Sequence, residues 1–219
     1  MRIKNAIWAL ALGVFITACD NDDNTIVSLP LGDYENGILI TNEGPFNNGT
    51  GTVSFISDNL ETQEAAIFNT VNNADLGNIV QSIGFADDKA YIIANVSNKI
   101  TVVNRYTFEE IATIDTGLNN PRFFVEVNGK GYVTNWGDTA DETDDFVALI
   151  NLETNSVDGT IPVDFGPEEL VANSSSIYVA HQGAFGQNNK VSVVDLATET
   201  VATTITVGDV PKAIMFDSA

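Results

Sequence analysis

The sequence predicts an all-β protein, a β-propeller of four-stranded blades, and three observations predict it. Val (22), Ile (20) and Thr (21) supply 63 of 219 residues, an enrichment that suits strands because branched side chains pack well on a pleated surface. From residue 37 onward, four short apolar runs recur as a unit of about 44 residues, the period expected of propeller blades. No stretch carries a helical apolar stripe of useful length, apart from a weak one near Asn73–Ile83. With 44% hydrophobic residues the chain has enough apolar surface for a packed core.

The repeat is read in chain order. Its first run appears as Ile38–Asn42, Tyr91–Asn95, Tyr132–Asn135 and Tyr178–His181, with last residues spaced 53, 40 and 46 apart. A polar, Gly- or Asn-rich loop leads each time to a second run: Gly51–Ile56, Lys99–Asn104, Phe146–Asn151 and Lys190–Asp195. The third run is clearest as Glu110–Asp115, Ser156–Val163 and Val201–Val207. A turn containing Pro121, Pro167 or Pro211 then opens a fourth run, Phe123–Val127, Glu169–Ala172 or Ala213–Phe216. In the first unit Asn78 stands in place of the Pro, ahead of Ile79–Phe85. The run Ala213–Phe216 already begins a further blade.

Alternation along Tyr132-Val133-Thr134 sends Tyr132 and Thr134 to one face of the sheet and Val133 to the other. Both faces are apolar enough to be buried between stacked blades. Asn42, Asn95 and Asn135 close their strands, where a short amide side chain bonds nearby backbone, and are read as braces. His181 occupies the same register and is read the same way.

Tyr132-Val133-Thr134-Asn135 is the YVTN tetrapeptide. Together with Lys190–Asp195 and Thr204–Pro211, it resembles the YVTN/YncE-like β-propeller repeat over roughly Glu35 to the end. The resemblance implies a ring of seven blades. Residues 37–219 supply four blades, so they are expected to be a C-terminally incomplete part of a seven-bladed ring, two to three blades short.

The N-terminus reads as an address. Arg2 and Lys4 precede the apolar run Ala6–Ile16, which at about 1.5 Å per residue covers only half of a membrane and so reads as the core of a signal peptide, residues 1–18. Ile16-Thr17-Ala18-Cys19 resembles the lipobox of bacterial lipoproteins, which implies cleavage before Cys19 and acylation of it. Cys19, the only Cys, would then be the lipid attachment site. Loss of residues 1–18 removes two cations and no acid, leaving a charge of −23. Asp20, Asp22 and Asp23 follow the Cys. This cluster resembles a signal for the outer face of the outer membrane, and it also suits a solvated tether over residues 19–36.

Blade geometry places the loop between second and third strands on the same rim as the entry to the next blade. Those loops are Glu43–Gly51, Val96–Asn98, Trp136–Asp145 and Gln182–Asn189, and loops on a rigid scaffold are where binding residues concentrate. Phe46, Trp136 and Phe185 are aromatic residues in these polar loops, suited either to a flat binding platform or to capping blade edges. Arg122, one residue after Pro121 at the mouth of an inner strand, is placed either to orient an anionic group or to form an internal ion pair. The acids Asp138, Asp141, Glu142, Asp144 and Asp145 offer oxygens for Ca²⁺ or merely solvated charge; their spacing does not match an EF-hand loop. No metal ligands or cofactor are assigned.

Composition excludes several functions. Nine basic residues against 30 acidic ones, for a net charge of −21, leave no basic patch for nucleic acid. One His and one Cys exclude multi-His and multi-Cys metal sites. No Gly-x-Ser-x-Gly or Ser-x-x-Lys is present, and Gly183–Gly186 lacks the Lys-Ser/Thr of a phosphate loop. The chain is therefore expected not to be an enzyme, and no residue is assigned a catalytic role. The YVTN/YncE-like resemblance implies a cell-surface lipoprotein, held in the outer membrane by acylated Cys19. It would bind a small nutrient such as a corrinoid for a TonB-dependent transporter. The ligand-binding set is Phe46, Arg122, Trp136 and Phe185. A surface scaffold for protein–protein interaction is the alternative reading, with a lactonase-like propeller behind it.

Overall fold

The computed structural model describes residues 29–46 and 49–217. The expected signal peptide 1–18, the Cys19 anchor and the acidic cluster behind it lie outside the described residues.

Alternating runs separated by Gly, Asn and Pro turns fold into antiparallel hairpins, as period-two patterning demands. The first sheet holds β1 (Gly37–Asn42), β2 (Thr52–Ser57) and β3 (Gln63–Glu64). After the short helix α1 (Ile67–Asn72), the second holds β4 (Val80–Ala86), β5 (Lys89–Ala94), β6 (Lys99–Asn104) and β7 (Glu110–Ile114). The third holds β8 (Pro121–Val127), β9 (Lys130–Asn135), β10 (Phe146–Asn151) and β11 (Ser156–Pro162). The fourth holds β12 (Pro167–Ala172), β13 (Ser176–His181), β14 (Lys190–Asp195) and β15 (Thr200–Thr206). These are four blades in an arc, an all-β propeller arrangement whose ring is not closed. The strand after each Pro turn is the innermost of the next blade, and blade 1, which starts with β1, has no such strand among the described residues.

The core lies between blades. Ala90 and Ile92 of β5 face blade 1, joining Val53, Phe55, Phe68 and Phe108. Tyr91 and Ile93, on the opposite face of the same strand, meet Val133, Ala148 and Ile150 of blade 3. Tyr132 turns the other way from Val133 and packs with Leu170, Ile177 and Val179 of blade 4. Both faces of the inner blades are thus buried, as the YVTN alternation requires. Tyr91 stacks on Phe124 at 4.4 Å between ring centres, joining blades 2 and 3.

Three expectations change. The helix lies at Ile67–Asn72, before the weak stripe at Asn73–Ile83, because Asn73 (φ 51°) and Gly77 (φ 106°) take left-handed conformations that stop it. The expected tether ends early: Tyr34 is buried edge-on against Phe55 and Phe108, at 5.3 and 5.6 Å, and its N–H donates to Tyr106 O at 2.9 Å. The run Ala213–Phe216 forms no strand; it lies along blade 4, with Ile214 N–H on Glu169 Oε2 at 3.2 Å and Phe216 edge-on to Tyr178.

Candidate functional site

The second strand of every blade ends at one rim, and the residues in the Asn register brace it. Asn42 Nδ2 donates to Ser54 Oγ at 2.9 Å, and Asn95 Nδ2 to Pro121 O at 3.2 Å. Asn135 donates to Val133 O and accepts from Asn119 N–H, both at 2.9 Å. His181 is fully buried with Nε2 2.8 Å from Ser192 Oγ. Burial pushes its pKa down to about 4, although the Asp164 charge and the backbone of Asp164 and Phe165 pull it back up. At neutral pH it is an uncharged brace.

Three of the four residues assigned from sequence meet at the rim of blades 3 and 4. Arg122, at the start of β8, forks onto Glu168 of β12: Nε to Oε2 at 2.9 Å and Nη2 to Oε1 at 2.8 Å. Its guanidinium also lies 3.8 Å from the Trp136 ring centre, and Phe185 stands edge-on to Trp136 at 5.7 Å. Trp136 is buried while Phe185 is 81% exposed, so the pair presents a rigid base with an open edge. Phe46 sits apart on blade 1, with its side chain 65% exposed and its carbonyl accepting from Asn78 Nδ2 at 2.8 Å. Of the two roles open to Arg122, the structure has the internal ion pair.

Two charged groups of this rim, Glu168 and Asp145, lie outside the set expected from the sequence. Glu168 follows Pro167 as Arg122 follows Pro121, and that shared offset was the available signal. Inner-strand backbone is also held from the neighbouring blade: Ser82 Oγ donates to Arg122 O at 2.6 Å and Thr134 Oγ1 to Glu168 O at 2.8 Å. Asp145 fits neither the Ca²⁺ nor the solvated alternative offered for its acidic loop: it is 1% exposed and accepts from Gly166 N–H at 2.9 Å. Burial pushes its carboxyl up to about 7, against the Gly166 N–H, and Asp144, Asp164 and Asp141 add to the rise. No sequence rule separates it from its four acidic neighbours, because inward direction is decided by the register of β10.

Asp138, Asp141 and Asp144 bond to the backbone of their own loop. Asp144 Oδ2 accepts from Asp138 N–H at 2.9 Å, and Asp141 Oδ1 accepts from Thr143 N–H and Oγ–H at 2.9 and 2.6 Å. Among the described residues, no group of three or more His, Cys, Asp or Glu is placed to hold a metal ion. A groove of about 470 Å³ opens at the opposite rim, lined by Lys89, Tyr91, Leu152 and Glu153, away from the aromatic cluster.

The family described as "Domain of unknown function (DUF5074)" matches residues 36–215. No curated protein matches the chain. Among solved structures, Kuenenia stuttgartiensis hydrazine synthase is similar in fold, with a TM-score of 0.55 and 17% identity over 71% of this chain and 43% of that one. The computationally designed Ika8 protein is similar too, with a TM-score of 0.54 and 11% identity over 80% of this chain and 49% of that one. The chain thus spans less than half the length of either, and identities this low speak of fold alone.

Proposed function

The chain belongs to the DUF5074 family, and on that premise we propose that it is a cell-surface lipoprotein whose propeller captures a small nutrient molecule for an outer-membrane, TonB-dependent transporter. The observation that carries this reading is the Phe185–Trp136–Arg122–Glu168 stack at the rim of blades 3 and 4. An exposed aromatic edge backed by a locked ion pair costs little to organise on binding. The lipobox-like Ile16–Cys19 supports a lipid anchor at Cys19, and the YVTN/YncE-like repeat makes a corrinoid the first ligand to try. The activity is binding without turnover.

Trp136 is the only Trp after residue 18, so its fluorescence reports on the site directly. Titration with cobalamin should quench it with saturation at micromolar ligand, and Phe185→Ser should abolish the effect. Absence of quenching would overturn the corrinoid assignment. Wild-type protein should partition with outer membranes and be cut by external protease, whereas Cys19→Ser should be found soluble. A turnover abolished by His181→Ala would overturn the reading as a pure binder.

A further inference from the structure

Resting on the rim reading above though not on its corrinoid, which carries no ammonium, we propose that the site takes a ligand bearing an ammonium group beside an oxygen acceptor, with Asp145 receiving the ammonium and Phe185 flanking an apolar body. Asp145 accepts one hydrogen bond, on Oδ1, while Oδ2 is buried with no partner among the described residues. An uncompensated buried carboxylate is costly, and a cation supplied from outside offsets that cost.

None of the described residues supplies one. Arg122, from β8, is closed onto Glu168 of β12. Lys190, from β14, is held by Asp164 Oδ2 at 2.6 Å. His181, at the end of β13, is neutral. The other charges facing Asp145 are all acidic: Asp144 and Asp141 on its own loop, and Asp164 on the β11–β12 connection. Anionic ligands are therefore repelled.

A second, independent observation lies across the β9–β10 pair. Asn135 faces Phe146 in register, so Trp136, the next residue, stands opposite Asp145. Trp136 is 6% exposed and its Nε1–H is buried without a partner among the described residues. That donor asks for an acceptor on the ligand, as Asp145 Oδ2 asks for a donor. Phe185, edge-on to Trp136 at 5.7 Å, adds an apolar and cation–π surface beside that indole.

The test uses three probes that differ at one carbon: 2-amino-1-phenylethanol, 1-phenyl-1,2-ethanediol and mandelate, followed by Trp136 fluorescence at pH 8. Only the amine should bind with saturation, and Asp145→Asn, which retains an acceptor for Gly166 N–H, should weaken it at least about tenfold. Asp58→Asn, which removes the same charge at the opposite rim, should leave affinity within about twofold. In the wild type, affinity for the amine should rise about tenfold from pH 6 to pH 8, as Asp145 gives up its proton while an aliphatic amine stays charged. Binding of the diol or mandelate with equal affinity, or amine binding indifferent to Asp145→Asn and to pH, would overturn the ammonium assignment while leaving the rim reading intact. Failure of all three probes alongside cobalamin binding that is lost in Phe185→Ser would also overturn it alone. Failure of every ligand would overturn both.

Discussion

Arg122 and Glu168 form a two-pronged ion pair across the innermost strands of blades 3 and 4, with both N–O distances below 3 Å and Glu168 fully buried. The pair aligns β8 with β12 and, through the guanidinium face, fixes Trp136 at the rim. Structure and site therefore depend on the same contact.

Removing one partner leaves a buried charge uncompensated. Glu168→Gln should cost about 3–5 kcal/mol in urea unfolding, and the double change Arg122→Met with Glu168→Leu should recover most of that loss. A single-variant cost below about 1 kcal/mol would show that the pair is not fully desolvated.

Phe185 and Trp136 should separate binding from stability. Phe185→Ala should change unfolding free energy by less than about 0.5 kcal/mol because the ring is mostly in water. Acrylamide should nonetheless quench Trp136 more strongly once that edge is gone. Trp136→Ala, which empties a buried site, should cost about 3–5 kcal/mol.

Two titrations oppose each other in the pH profile of stability. Asp145 keeps its proton to about pH 7 when folded but loses it near 3.8 when unfolded, so its contribution to stability falls as pH rises from 3.8 to 7. His181 ionises near pH 6.5 when unfolded but at about 4 when folded, so its contribution falls as pH drops through that range. The wild-type melting temperature should be nearly level between about pH 4 and pH 6.5, where the two offset one another. Asp145→Asn should make it fall on acidification, and His181→Asn should make it rise. A level profile in both variants would refute the assignment.

Gly166 should tolerate no side chain. Its φ is +66°, and a Cβ there would sit 2.1 Å from Ala184 N and 2.3 Å from Gly183 Cα. Gly166→Ala should lose more than about 1 kcal/mol from the left-handed backbone alone. It should also break the Gly183 N–H to Gly166 O contact that joins the two rim loops, visible as lost amide protection at Gly183.

The blades were legible because each is a local pattern. Tyr132-Val133-Thr134 alternates, both of its faces are apolar, and the structure buries Tyr132 and Val133 against different neighbours. The site was legible in part. An aromatic residue in a polar loop marked Trp136 and Phe185, but the same signal picked Phe46, which stands on another blade. Loop position along the chain does not say which loops become neighbours around the arc.

Strand order, blade period and brace residues follow from residue type and spacing, since period-two alternation and turn chemistry act over a few residues. Tertiary structure alone decided that Arg122 meets Glu168, 46 positions away, and that Asp145 turns inward while Asp144 and Asp141 bond their own loop. It also decided that Tyr34, expected in a solvated segment, joins the core. The reason is the same in each case: burial depends on what the neighbouring blade places opposite, and that partner lies dozens of residues away in the chain.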